Sequence, residues 1–185
     1  TATAVGVSLS GSIVAISAAG AGSLAHTTVT NTTQALIEAG SDVDADAGML
    51  TVSASDDTFV DTVADAVAVA VAGGVVGGSL SLGFVMADNT VNTTVRSRIN
   101  NAKALSGQKP KVKAEATTDV NVEAVGVSVA ASGGVIGISG AAAAGVVSND
   151  VGGLVEALIV NSESPLQGVI AESGGVEVTA RDERT

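Results

Sequence analysis

The chain predicts an all-β fold, an elongated β-solenoid of the parallel β-helix kind, built from three repeats of about 60 residues. Three observations predict it. The first is internal repetition: "AVGVSL" at residues 4–9 returns as "AVGVSV" at 124–129, with "AVAVAV" at 66–71 between them. The second is strict two-residue alternation in each copy, the period of a pleated strand rather than of a helix. The third is composition. Of 185 residues 46% are hydrophobic and only 1% aromatic, with 23 Gly, two Phe and no Trp or Tyr. A core of Val and Ala fills only if its layers approach closely, since dispersion contact is lost across small gaps. Stacked sheets supply such thin layers.

The repeats span residues 1–59, 60–120 and 121–185, as one continuous repeat domain. Each opens on an alternating strand: Val5, Val7 and Leu9; Val67, Val69 and Val71; Val125, Val127 and Val129. A break follows at Gly11 and Ser12, at Gly73 and Gly74, and at Gly133 and Gly134, where paired small residues suit a tight corner. The second piece is "IVAISA", "SLSLGFVMA" or "VIGISGAAAAGVV" and is expected to end at a polar group, residues 27–33, 88–94 or 148–153. A third piece holds "QALIEA", "VRSRINNA" or "VEALIVNS". Within it "ALIEA" and "LVEALI" are locally compatible with helix but too short to carry a fold. A loop then leads to a last strand, "LTVSAS", "KVKAEA" or "VEVTAR". Aligning these last strands puts Lys111 beside Glu177 and Glu115 beside Arg181, opposite charges that favour register. Three coils of about 20 residues per repeat, or two coils with loops, both accommodate the length.

Charge narrows the partners. The net charge of −11 argues against nucleic acid, whose binding needs Lys and Arg to neutralise phosphates, and against adsorption to anionic lipid. Repeat one has six acids and no base, repeat two five acids and six bases, repeat three eight acids and two bases. Residues 1–37, 66–87 and 124–149 carry no Asp, Glu, Lys or Arg, and their length would suit a membrane span. The alternation, the scarcity of Leu and the missing aromatic and basic flanks favour buried strands instead, with no membrane span. The absence of Cys excludes disulfides and thiolate metal sites and leaves the compartment open. Thr1 enters directly into a repeat without a signal-like start, so the chain reads as a portion of something longer.

The rhythm A-V-x-V-x-V-A-G-G, then S-x-x-x-x-N-x-V, I-x-x-A and V-x-V-x-A resembles the repeats of leukotoxin-type and hemagglutinin-like large filamentous adhesins of bacteria. The resemblance covers nearly the whole chain and rests on composition and rhythm. It implies secretion, a β-solenoid stalk, and a place in the extracellular space or at the cell surface. The function expected on this basis is a non-enzymatic structural segment of a large secreted adhesin or matrix filament. Its partners are same-chain repeats or identical subunits end to end, and a host or surface glycan or protein receptor. The alternative, a carbohydrate-binding or carbohydrate-processing β-solenoid, ordinarily uses aromatic platforms beside its acids.

No catalytic residue is expected and no cofactor beyond calcium. The metal candidate is Asp42, Asp44 and Asp46, whose i, i+2, i+4 spacing on an extended strand puts three hard carboxylates on one face. It departs from the EF-hand loop: Gly48 falls at position seven, and position twelve is Ser53. The equivalent loops, residues 105–109 and 163–168, have no such cluster, and a solvated acidic loop is the simpler account. His26, the single histidine, reads as polar surface at a strand end. "AGGVVGG" at 72–78 lacks the Lys-Ser/Thr that a phosphate loop requires. "NTT" at 31–33 and 92–94 is a formal glycosylation sequon and reads here as a coil corner or Asn ladder. "VGG" at 151–153 interrupts that ladder, which also argues against an ice-binding Thr array.

Overall fold

The computed structural model describes residues 1–160 and 168–185, and every regular element among them is a strand. In chain order these are β1 (Ala2–Gly11), β2 (Val14–Ile37), β3 (Asp42–Asp44), β4 (Thr51–Gly73), β5 (Val76–Asn100), β6 (Lys103–Ser106), β7 (Lys111–Gly133), β8 (Ile136–Val160), β9 (Gly168–Ala171) and β10 (Glu177–Arg184). They form three sheets, ordered β1-β4-β7-β10, β2-β5-β8 and β3-β6-β9. Every third strand lies beside its own repeat equivalent, in parallel: Ala4 faces Ala66, Val5 faces Val67, Asp42 faces Lys103 and Lys103 faces Gly168. This is the β-solenoid topology the alternation predicts.

One repeat is one coil. Cross-coil hydrogen bonds join residues 60, 61 and 62 positions apart, so neither three short coils nor two fit within a repeat. Each coil consists of two long strands and one very short one. The polar groups expected to end the second strand do not interrupt it: β2, β5 and β8 run 24, 25 and 25 residues through them. "LVEALI" continues β8, while "ALI" ends β2 and Glu38 and Ala39 follow it into a turn; neither segment forms a helix. The last strand of one repeat likewise runs unbroken into the first strand of the next, as β4 and β7.

Two compact units divide the chain across its repeats. Unit one comprises Thr1–Thr28, Asp61–Asn89 and Val120–Asp150; unit two comprises Val29–Val60, Thr90–Asp119 and Val151–Thr185. Unit one pairs the first two sheets around a core of very small residues. Ala64, Ala66, Ala68, Ala70 and Ala72 of β4 are all inaccessible or nearly so. The layers come so close that serine hydroxyls reach across to opposing backbone: Ser81 Oγ donates to the Ala68 carbonyl at 2.8 Å, Ser17 Oγ to Ser8 at 2.9 Å and Ser23 Oγ to Ala2 at 2.9 Å. A Cβ added at Gly6 would stand 2.2 Å from the Gly20 carbonyl oxygen, so this approach requires glycine. The apolar runs are therefore only half buried. Their small residues face in, while Val5, Val7, Leu9, Ile16 and Leu24 are 61–79% exposed.

Unit two closes with all three sheets and a bulkier core: Val52, Ile99, Ala102, Ala104 and Val112, with Ile37, Leu50 and Ile159 packed against them. Two pairs of its inward polar groups meet. Asn31 Nδ2 donates to Thr58 Oγ1 at 2.9 Å and Thr33 Oγ1 to Asp56 at 3.2 Å. The Asn31 motif thus lies inside a strand, not at a coil corner.

Candidate functional site

The acidic triplet is split by the end of its strand. Asp42 and Asp44 lie on the same outward face of β3, but the strand stops there. Asp46 sits in the following turn with a left-handed φ of 45°. Its backbone N–H donates to Asp44 Oδ1 at 2.9 Å, and Lys103 Nζ lies 3.2 Å from Asp42 Oδ2. One coil on, the register places Lys103 beside Asp42 and Leu105 beside Asp44. The carboxylates are thus engaged by a turn N–H and an ammonium. Among the described residues no group of three or more His, Asp or Glu side chains is placed to hold a metal ion. Of the loops equivalent to this one, residues 163–167 lie outside the described residues.

His26 stands on the outer face of the second sheet. Its Nδ1 is 3.0 Å from Asp88 Oδ2 and its Nε2 3.1 Å from Thr28 Oγ1. The carboxylate–imidazole–hydroxyl order is that of a hydrolytic triad. The side chains of His26 and Asp88 are 58% and 41% exposed on an open strand face, where water competes for every bond. This arrangement orders a polar row and offers no water-excluded place for a substrate.

Sequence reasoning missed the buried polar ladder of unit one. Asn89, fully inaccessible, accepts from Thr62 Oγ1 at 2.7 Å and donates through Nδ2 to Asn149 at 2.9 Å, while Thr62 also meets Thr27 at 3.2 Å. Asn89 lies three residues before the "NTT" motif. The signal that could have found it is the pairing of "DN" at 88–89 with "ND" at 149–150 one repeat later.

Unit two carries the charged surface. The aligned columns form: Glu177 lies beside Lys111, and Arg181 beside Glu115. The ion pairs themselves are diagonal or within a strand. Lys109 Nζ reaches Glu177 at 2.8 Å and Lys113 reaches Glu115 at 2.6 Å, while Arg181 turns to Glu183. The hydrogen bond from Lys109, its charge and those of Lys111 and Lys113 hold the Glu177 carboxyl below the usual carboxylate range. Glu38 is lowered too, first by the hydrogen bond from Asn100 (3.0 Å) and then by Arg98 (3.0 Å). On the outer face of the first sheet, a groove of about 200 Å³ is lined by Asp57, Glu115, Thr117, Arg181 and Glu183. Phe59, 67% exposed, follows Asp57 by two residues along β4.

No helix among the described residues is long and apolar enough to cross a membrane. The chain matches no protein-family model, no curated protein and no solved structure.

Proposed function

We propose that the chain is a non-enzymatic structural segment of a large secreted bacterial adhesin or extracellular filament, one that stacks or polymerises end to end at the cell surface. The observation that carries this reading is in-register coil repetition with open edges. β1, β2 and β3 bound the three sheets on one side, and β10, β8 and β9 on the other. An outer row of N–H and C=O groups along long parallel strands is a template for one more coil. The resemblance to adhesin repeats supports the same role, with a glycan or protein receptor as partner. No cofactor enters it, and the split Asp42, Asp44 and Asp46 triplet is given no metal role.

Electron microscopy and sedimentation of the isolated chain test the proposal. Filaments, or an average mass that keeps rising with concentration, are expected. A stable monomer at high concentration, without filaments, sinks it.

A second reading rests on the groove beside Phe59: carboxylates, a guanidinium and one exposed aromatic ring are the elements of a sugar subsite. A glycan array showing specific binding that Phe59→Ala abolishes would place carbohydrate recognition first.

A further inference from the structure

The Lys and Arg side chains that tie one coil to the next all come from the middle repeat. Among the described residues four Lys or Arg ion pairs cross between repeats: Arg98 with Glu38 at 3.0 Å, Lys103 with Asp42 at 3.2 Å, Arg96 with Glu156 at 3.3 Å and Lys109 with Glu177 at 2.8 Å. Repeats one and three supply the carboxylates, and these two repeats are also the open edges of the stack. On the repeat-three side, the second half of β7, together with β8, β9 and β10, leaves backbone N–H and C=O groups unpaired along the stack. Both guanidiniums of this edge are engaged within their own strand, Arg181 by Glu183 and Arg184 by Asp182. Repeat three, with eight acids and two bases, thus has a basic coil on its inner side and none on its outer side.

The corner sets a second demand. Ser12, Gly74 and Gly134 occupy one column, where successive coils cross. A Cβ at Gly74 would run into the Ser12 carbonyl oxygen at 2.0 Å, and one at Gly134 into the Gly74 carbonyl oxygen at 1.9 Å. Each coil therefore needs glycine over the carbonyl of the coil before it, and a coil seated on repeat three needs glycine over Gly134. We propose that the repeat-three edge is a seat for a coil of repeat-two chemistry, with glycine at the corner and Lys or Arg in the charged columns of unit two. The proposal rests on end-to-end stacking and specifies the partner that stacking selects.

An identical copy meets these demands poorly. With the register inside the chain carried across, it presents repeat one: its β1 lies on the uncovered half of β7, and the first half of its β4 on β10. The backbones interlock, because β1 covers only Ala64–Gly73 of β4 and β10 only Lys111–Thr118 of β7. The side chains do not match. Ser12 comes over Gly134, where a Cβ has no room. Asp57 shares the column of Thr117 and Glu183, so it comes over Glu183. Asp46 shares the column of Gly107 and Glu172, so it comes over Glu172. Like charges one strand spacing apart, about 4.8 Å, oppose the joint. Copies of this chain joined directly are therefore a weak pairing, and a basic, glycine-cornered coil is the matched one.

Converting the edges of the full chain tests the seat. Sedimentation equilibrium compares the native chain with Ser12→Gly, Asp57→Lys, Glu183→Lys and the double variant Asp57→Lys with Glu183→Lys, at low and high sodium chloride. Ser12→Gly removes the corner clash and is expected to tighten association roughly tenfold or more at either salt. Asp57→Lys and Glu183→Lys are each expected to tighten it at low salt, with the gain fading as salt screens the new pair. The double variant sets like charges against each other again and is expected to return to native strength. Circular dichroism is expected to show the strand signal unchanged in every chain. Variants that associate where the native chain stays monomeric also bear out the seat, and sink only the polymerisation of identical native chains. Association that Ser12→Gly leaves unchanged, or that neither single charge variant tightens, overturns the seat and leaves stacking itself standing. If no chain associates under any condition, both fall.

Discussion

Gly74 and Gly134 stand where one coil crosses directly over the turn of the previous one. A Cβ at Gly74 would lie 2.0 Å from the Ser12 carbonyl oxygen, and one at Gly134 1.9 Å from that of Gly74. Gly134 also holds a φ of 143°, which disfavours any other L-residue. Their sequence neighbours Gly73 and Gly133 meet nothing within 4 Å. The two members of each Gly-Gly pair therefore have opposite requirements. Gly134→Ala is expected to destabilise by about 2–4 kcal/mol, because backbone rather than a flexible side chain must move. Gly133→Ala is expected to be neutral or stabilising by up to about 1 kcal/mol, through the unfolded chain. Urea unfolding of the two variants checks this contrast; equal effects would show that the corner does not fix the coil spacing. The sequence marked these corners by their paired glycines. It could not say which glycine of a pair is obligatory, because the clash is with a residue about 60 positions away.

Strand length is where elements depart from the pattern of the sequence. Polar clusters at residues 27–33, 88–94 and 148–153 read as strand ends, because an inward polar residue without a partner is costly to bury. Partners exist, but on other coils and opposing strands: Asn89 bonds Thr62 and Asn149, and Asn31 bonds Thr58. Period-two alternation is local and was legible; the pairing that lets a strand continue through polar residues is non-local and was not. The same limit applies to the Asp42 cluster, where the carboxylate spacing was visible but the strand end at Asp44 was not. Asn89→Leu, close in volume, is expected to cost about 1–3 kcal/mol, since it takes a partner from buried Thr62, whereas Asn149 on the exposed outer coil can turn to water. Combined with Asn149→Leu, the loss should be smaller than the sum of the two single losses. Additive losses in a double-mutant cycle would mean that the ladder does not act as one network.

At the scale of the whole molecule, charge is segregated with the units. All eight Lys and Arg residues belong to unit two, while unit one has only Asp61, Asp65, Asp88, Glu123 and Asp150 besides the single His26. Cross-coil pairing by Lys and Arg is thus a property of unit two, and it helps to lower the titration of the Glu38 and Glu177 carboxyls. Because folding lowers these two values, the folded state binds fewer protons than the unfolded chain as the carboxyls titrate. Their contribution to stability is present at neutral pH, above the unfolded carboxylate value, and is lost as pH falls through the lowered folded values. Acidification simultaneously relieves the repulsion of a net charge of −11, a term of opposite sign, so the pH profile of the native chain alone does not isolate the pairs. The difference between two chains does. Glu38→Gln with Glu177→Gln is expected to melt below the native chain at pH 7 in low salt. The gap should shrink with added salt, as exposed pairs are screened, and close once the pH has fallen below the carboxylate range. Thermal melts of both chains across that range decide it. A gap that persists in acid would assign the loss to packing of the two side chains, and the cross-coil pairs would then contribute no electrostatic stability to the stack.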